Sequence, residues 1–167
     1  MDIYPFKLDQ LTHAQLYSMW LKVEAMPYFL DDTLRDPFTF GAVLAAPSSR
    51  CTFIGPLRSG GDPCGILYAY AIVPNQSAGL AIAIWDRAAW GRTDLVRVGI
   101  ESLVRDPRLN LHRLWATVAE PNLPAHRLMR RIGWFEKEAE LRSALCYAGV
   151  WTDVAVYAAL CEEIRKK

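Results

Sequence analysis

The stretch from His112 to Trp134 constrains the fold more than any other, because its hydrophobic period changes across one short break. Leu114, Ala116 and Val118 alternate with Arg113, Trp115 and Thr117, which predicts a strand over His112–Ala119. Glu120-Pro121-Asn122 interrupts that alternation. From Pro124 to Ile132 the period is helical: Ala125, Leu128, Met129 and Ile132 share one face, and Arg127, Arg130 and Arg131 fall elsewhere. Pro124 suits a first helical turn, where its missing N–H would lack a partner anyway, and Gly133 suits the stop. The unit is strand, turn, helix, then a Gly-aromatic pair.

The preceding residues divide in the same way. Ile3–Leu8 alternates as a first strand, and Asp9 or Thr12 is placed to cap a helix running to about Ala25. Leu16, Met19, Trp20 and Val23 share a face of that helix, and Pro27 ends it. A second short helix is expected from about Asp36 to Ala45, with Pro37 at its start and Pro47 beyond its end. Cys51–Leu57, Cys64–Val73 and Ala78–Asp86 read as three strands joined by turns, hence as an antiparallel meander. The third carries few polar residues, which predicts a central position covered on both faces. A helix over Thr93–Val104 follows, with Val96, Ile100, Leu103 and Val104 facing inward.

A chain of 167 residues, 52% of them hydrophobic, is the size of one domain with a sizeable core. Its formal charge of +1 points to neither a nucleic acid nor an anionic membrane as partner. No apolar run approaches the roughly 20 residues that span a bilayer, and MDIYPFKLDQ lacks a basic n-region followed by an apolar core, so a cytoplasmic protein is expected. Cys51, Cys64, Cys146 and Cys161 form no C-x-x-C pair and have no His at zinc spacing, so no metal site is expected. His13, His112 and His126 stand singly, which assigns them surface or strand-end roles. P-loop, Gly-x-Ser-x-Gly and dinucleotide fingerprints do not occur.

Asn122 after a strand, a helix beginning close behind it, and the pair Gly133-Trp134 resemble the second cofactor motif of the GNAT superfamily of acyl-CoA-dependent N-acyltransferases. The segment LRSALCYAGVWTDVAVYAAL is similar to the two closing strands of its Rim-type ribosomal-protein branch, in which a Gly-aromatic-x-Asp turn leads into the last strand; Gly149, Trp151 and Asp153 match. The resemblance implies an α+β fold in a single domain, residues 1–167. Its mixed, mostly antiparallel sheet would have about seven strands flanked by about four helices, with a splay between the fourth and fifth strands.

That resemblance also implies an activity and a site. Acetyl-CoA would donate an acetyl group to a primary amine, either a protein N-terminus or a small-molecule amine, by direct attack in a ternary complex. The pantetheine arm would lie in the splay beside Ile84 and Trp85, with Asn122 hydrogen-bonded to it and Arg127, Arg130 or Arg131 meeting the nucleotide phosphates. The pyrophosphate would sit on the loop Trp90, Gly91, Arg92, Thr93, Asp94 and Leu95, before a helix whose first N–H groups attract anions. In the family this loop reads Gln/Arg-x-x-Gly-x-Gly/Ala. Here Trp90, Thr93 and Leu95 replace its defining residues, Gly91 is retained and Arg92 supplies charge.

For the chemistry, Asp86 and Glu120 lie at the ends of the two splaying strands as candidates to take the amine's proton. Family members place a tyrosine seven residues after the Asn to protonate the thiolate; that position is Met129, which leaves Tyr147 and Tyr157 as substitutes. The first two helices would flank the acceptor entrance, near Tyr28, Phe29, Phe38 and Phe40. The last strand and Trp151 would suit a homodimer edge. The altered loop keeps a second function open, a GNAT-fold binding or structural module with weak or no CoA binding.

Overall fold

The alternating pattern of Ala78–Ile84 and of Arg113–Ala119 places two strands at the centre of a sheet whose faces are covered by different helices. The computed structural model describes residues 4–5, 13–29, 36–47, 49–54 and 63–166. Its strands are β1 (Tyr4–Pro5), β2 (Arg50–Ile54), β3 (Gly65–Val73), β4 (Ser77–Ile84), β5 (Arg113–Ala119), β6 (Glu136–Tyr147) and β7 (Val150–Leu160). They form one mixed sheet in the order β1-β2-β3-β4-β5-β7-β6. Only β4 and β5 pair in parallel, because the chain between them crosses over through a helix.

The helices are α1 (His13–Glu24), α2 (Pro37–Ala45), α3 (Thr93–Val104), α4 (Leu123–Ile132) and α5 (Cys161–Arg165). Met19, Trp20 and Val23 of α1 and Phe40 and Leu44 of α2 pack with Ile66, Tyr68 and Ala83 on one face of the sheet. The other face is the larger core. There Leu95, Val96 and Ile100 of α3, Met129 and Ile132 of α4, and Ile164 of α5 cover Leu67, Leu80, Leu114, Ala116 and Tyr157. Among the described residues no helix is long and apolar enough to cross a membrane.

The local signals act as chemistry requires. Asp36 Oδ1 accepts from the N–H groups of Phe38 and Thr39 at 3.0 and 2.8 Å, capping α2. Asn122 Oδ1 caps α4 through the Ala125 N–H at 3.2 Å, and Gly133 closes that helix in the left-handed region at φ 71°. Arg97 of α3 donates to the carbonyls of Ile132 and Arg131 at the end of α4, tying the two helices together.

Several expected boundaries move. The caps Asp9 and Thr12 lie outside the described residues, as do most of Ile3–Leu8 and the end of the strand expected to reach Leu57. β4 stops at Ile84 because the Trp85 and Asp86 N–H groups both turn onto the Cys64 carbonyl, at 3.0 and 3.2 Å. α4 starts at Leu123, one residue before Pro124. The hairpin turn is Ala148-Gly149, both at positive φ, so Trp151 and Asp153 sit inside β7 rather than in the turn. The last strand is not a dimer edge: β7 is paired with β5 on one side and β6 on the other, and β6 is the edge. The short α5 was not anticipated.

One row across the sheet is tight. Gly79 of β4 lies between Tyr70 of β3 and Trp115 of β5, and a Cβ there would stand 2.6 Å from Tyr70 Cζ and 3.0 Å from Trp115 Cζ2. Gly79→Ala is expected to push Tyr70 off Trp115 and destabilise the protein by about 1–3 kcal/mol. Urea unfolding with near-ultraviolet circular dichroism reads both effects, and an unchanged midpoint would show that the row is not tight.

Candidate functional site

The pairing of β4 with β5 covers only Ser77–Arg113, Ala78–Leu114 and Gly79–Trp115. Beyond that point β4 continues to Ile84 and β5 to Ala119, with β5 held by β7 and not by β4. Two adjacent parallel strands therefore part, and the backbone edges between them lack a sheet partner. At the open end lie the loop after β4 and the first turn of α3.

That loop begins with Asp86, whose Oδ1 accepts from Ala88 N–H at 2.9 Å and caps the single 3-10 turn Arg87–Ala89. Trp90 is 58% exposed, yet its indole N–H reaches back to the Ile84 carbonyl at 3.0 Å. Gly91 adopts φ +90°, a left-handed conformation, and a Cβ there would lie 3.6 Å from an Arg131 guanidinium nitrogen. Of the three α4 arginines considered for phosphate contact, Arg131 is thus the one placed beside the loop. Arg130 donates to the His126 carbonyl at 3.4 Å, and Arg127 is exposed.

The first turn of α3 is already served. Arg92 makes a bidentate pair with Asp94, at 2.9 and 2.6 Å, while the Thr93 and Leu95 N–H groups turn back to the carbonyls of Gly91 and Arg92, at 2.9 and 3.2 Å. Arg92 above all holds the Asp94 carboxyl below its ordinary range. An acidic side chain therefore stands beside the position an anion would take. Leu95, by contrast, does not stand in the loop's open face: only 4% exposed, it packs in the core among the α3 and α4 side chains.

The strand-end carboxylates differ. Glu120 is paired with Lys137 at 2.8 Å, and that hydrogen bond holds its carboxyl below the ordinary range while pushing the Lys137 ammonium up. Asp86, at the end of β4, has no such partner in the hydrogen bonds described.

His126 corrects an expectation. It was assigned a surface or strand-end role, but it is buried on α4, because the face the helix turns inward is His126, Met129 and Ile132, with Ala125 and Leu128 half-buried. Its Nε2 lies 3.2 Å from the Ala119 carbonyl, which can only accept, so Nε2 carries the proton. Nδ1, at 2.8 Å from the Tyr157 hydroxyl, then accepts from it. Glu120 Oε2 stands 3.8 Å from Nε2. The i, i+3, i+6 spacing of His126, Met129 and Ile132 was the signal available in the sequence. Tyr147 is placed elsewhere, against Tyr28 at 4.7 Å between ring centroids.

The structure thus brings Ile84, Trp90, Gly91, Arg92, Thr93, Asp94 and Arg131 to one end of the splay, with Trp85 and Asp86 beside them. Asn122, Glu120, His126 and Tyr157 gather where β5 meets α4. Phe40 is core and Phe38 is exposed, so of the aromatic residues expected near an acceptor entrance Tyr28 and Phe29 remain. Among the described residues no cluster could hold a metal ion.

No family model matches the chain, and no curated protein matches it in sequence. Solved structures do. The spermidine N-acetyltransferase SpeG of Vibrio cholerae, in a point-mutant form, superposes with a TM-score of 0.74 at 15% identity over 100% of both chains. The same enzyme crystallised with CoA and spermine gives 0.69 at 17% identity, over 98% of this chain and 97% of that one. A chimeric form gives 0.73 at 16%, over 99% and 98%. The chain has the α+β fold of these GNAT-superfamily structures, and at such identities the likeness establishes the fold.

Two outcomes follow from the site's bonds. Tyr157→Phe leaves buried His126 Nδ1 without its donor and is expected to cost about 1–3 kcal/mol in chemical denaturation; no loss would mean that the pair is not formed. Glu120 has a depressed folded pKa, so its contribution is present above its unfolded value and lost as pH falls through the folded one. Glu120→Gln should therefore flatten the acid limb of stability between about pH 5 and pH 3. An acid limb identical to the parent's would contradict the Lys137 pairing.

Proposed function

We propose that the chain is an N-acyltransferase of the GNAT type, a single domain over residues 1–167 acting in the cytoplasm, that moves an acetyl group from acetyl-CoA to a primary amine. The observation that carries this reading is the parting of β4 and β5, open at the end where a left-handed glycine, two arginines and the start of α3 converge. A thioester with a long polar arm and a pyrophosphate needs such a cleft. The arm takes the place of the missing strand contacts, and the phosphates meet backbone N–H groups and guanidinium ions. Likeness to the Rim-type branch in the closing strands adds a protein N-terminus to the acceptors considered; the fold likeness adds polyamines, because a SpeG structure holds CoA with spermine.

In this reading Ile84, Trp85, Gly91, Arg92, Thr93, Asn122 and Arg131 bind the cofactor, and acetyl-CoA supplies the activated acyl group. Asn122 keeps its side-chain amide N–H groups for the arm, since its oxygen caps α4. The amine nitrogen attacks the thioester carbonyl carbon directly while both substrates are bound; the C–N bond forms and the C–S bond breaks. Asp86 takes the proton lost by the amine, Glu120 being weakened as a base by Lys137. The departing thiolate takes its proton from the Tyr157 hydroxyl, which must turn from His126 Nδ1 to deliver it. Most of the rate comes from holding amine and thioester together.

A second reading, a GNAT-fold binding or structural module, is favoured by a specific observation: the Arg92 guanidinium is taken by Asp94 and the Ile84 carbonyl by the Trp90 indole, two of the groups a cofactor would use. Calorimetric titration with acetyl-CoA separates the two. The enzyme reading expects micromolar binding, weakened about tenfold by Arg131→Ala and strengthened by Asp94→Asn, which removes a charge facing the phosphates. No heat at millimolar cofactor, in the parent and in Asp94→Asn alike, would sink the enzyme reading in favour of the module.

A further inference from the structure

His126 and Tyr157 are both buried, at 6% exposure each, and one hydrogen bond between them limits what either can do. Nε2–H is committed to the Ala119 carbonyl at 3.2 Å, so in the neutral ring Nδ1 is a lone pair. The Tyr157 hydroxyl gives Nδ1 its only proton, across 2.8 Å. A hydroxyl in that bond has no second proton to donate. The acid assigned to the departing thiolate is therefore held idle by its neighbour, and the bond has to reverse before Tyr157 can act.

A proton on Nδ1 reverses it. The ring nitrogen becomes a donor, the Tyr157 oxygen accepts from it, and the phenol proton turns to its other in-plane position, away from His126. The imidazolium so formed is buried and needs a counter-charge. Glu120 supplies one, with Oε2 at 3.8 Å from Nε2, while its Oε1 is held by Lys137 of β6 at 2.8 Å. The other groups around the ring are accounted for. β7 brings Tyr157 itself and Asp153, whose negative charge acts on Glu120. Lys137 is shared with Glu140, and Arg130 of α4 donates to the His126 carbonyl at 3.4 Å, not to the ring. The carboxylate is the charge that faces Nε2.

We infer, on the acetyl-transfer reading above, that His126 is a positioning residue whose protonation switches the Tyr157 hydroxyl from held to donating. The protons balance. One is taken up at Nδ1; the Tyr157 proton passes to the sulfur as the C–S bond breaks; the phenolate left behind takes the Nδ1 proton, and the pair returns to its neutral form. During that step the positive ring stabilises the phenolate beside it. Turnover by this route falls as pH rises through the titration of His126. Glu120 sets where that fall lies.

The test is a nitrogen NMR titration of the ring in histidine-labelled, cofactor-free protein, followed by the pH dependence of kcat for acetyl-CoA at saturating primary amine. The chain has 3 histidines, and the signal missing from His126→Asn assigns this one. The expected result is that the ring passes from the neutral Nε2–H form to the doubly protonated form while the protein is folded. Glu120→Gln should move that midpoint down by about half a pH unit or more, and the high-pH limb of kcat should move with it. In His126→Asn, whose amide can donate to the Tyr157 oxygen at every pH, that limb should be lost; a role in packing alone would lower the rate without moving a limb. A ring that stays neutral until the protein unfolds overturns the proposal, as does a midpoint indifferent to Glu120→Gln, or a kcat limb that fails to follow the NMR midpoint. If His126→Asn does not fold, assignment comes from Tyr157→Phe, which shifts the His126 signal, and Glu120→Gln carries the test. Should acetyl-CoA fail to bind, the transfer reading falls separately, and the titration with its Glu120→Gln shift decides whether the switch exists.

Discussion

Tyr70, Gly79 and Trp115 lie in one row across β3, β4 and β5, at the last point where β4 and β5 are paired. The place where the sheet opens depends on that row. Glycine at 79 lets the Tyr70 ring cross β4 and reach β5, so side-chain packing joins the strands where their backbone hydrogen bonds end. Beyond it the strands diverge, each still held on its other side, β4 by β3 and β5 by β7. A split in the middle of a sheet would otherwise propagate. Here it is arrested at one end and left open at the other.

Parting strands expose backbone groups that must find partners. The chain has met part of this demand from within. The Trp90 indole takes the Ile84 carbonyl, and the Thr93 and Leu95 N–H groups take the carbonyls of Gly91 and Arg92. Neither contact is unusual alone, since tryptophan N–H groups seek acceptors and the first N–H groups of a helix have no partner within it. Together they set the competition that a cofactor faces, because its arm and phosphates ask for the same groups. Arg92 belongs to that competition as well, since its guanidinium is paired with Asp94.

Much of this was legible in the sequence where one force dominates. Hydrophobic period set α3 at Thr93–Val104, and in the β5–α4 unit the start of the strand and the start of the helix each moved by one residue. The pattern said less where two forces compete. The end of β4 was set by the Cys64 carbonyl drawing in two N–H groups, a tertiary event that alternation does not record. Trp151 and Asp153 were read as turn residues, but positive φ at Ala148 and Gly149 fixes the turn earlier. Leu95 illustrates the difference between position and direction: motif alignment placed it at the phosphate, while helical geometry turned its side chain into the core. His126 was misjudged for a related reason, since a titratable residue on a buried helix face is tolerated once both ring nitrogens have partners.

The two faces of the sheet then divide the work by composition. On the α3–α4 side the core is mostly aliphatic and its polar groups are few and paired, which suits a rigid platform for the cleft. On the α1–α2 side Trp20, Phe40 and Tyr68 bring aromatic rings into the core, and Lys22 stands over the Trp85 ring at the open end of β4, where Asp86 also lies. On the transfer reading the fold fixes where an amine would meet a thioester, and the side chains of β3, β4 and β5 would fix which amine stays there long enough to react.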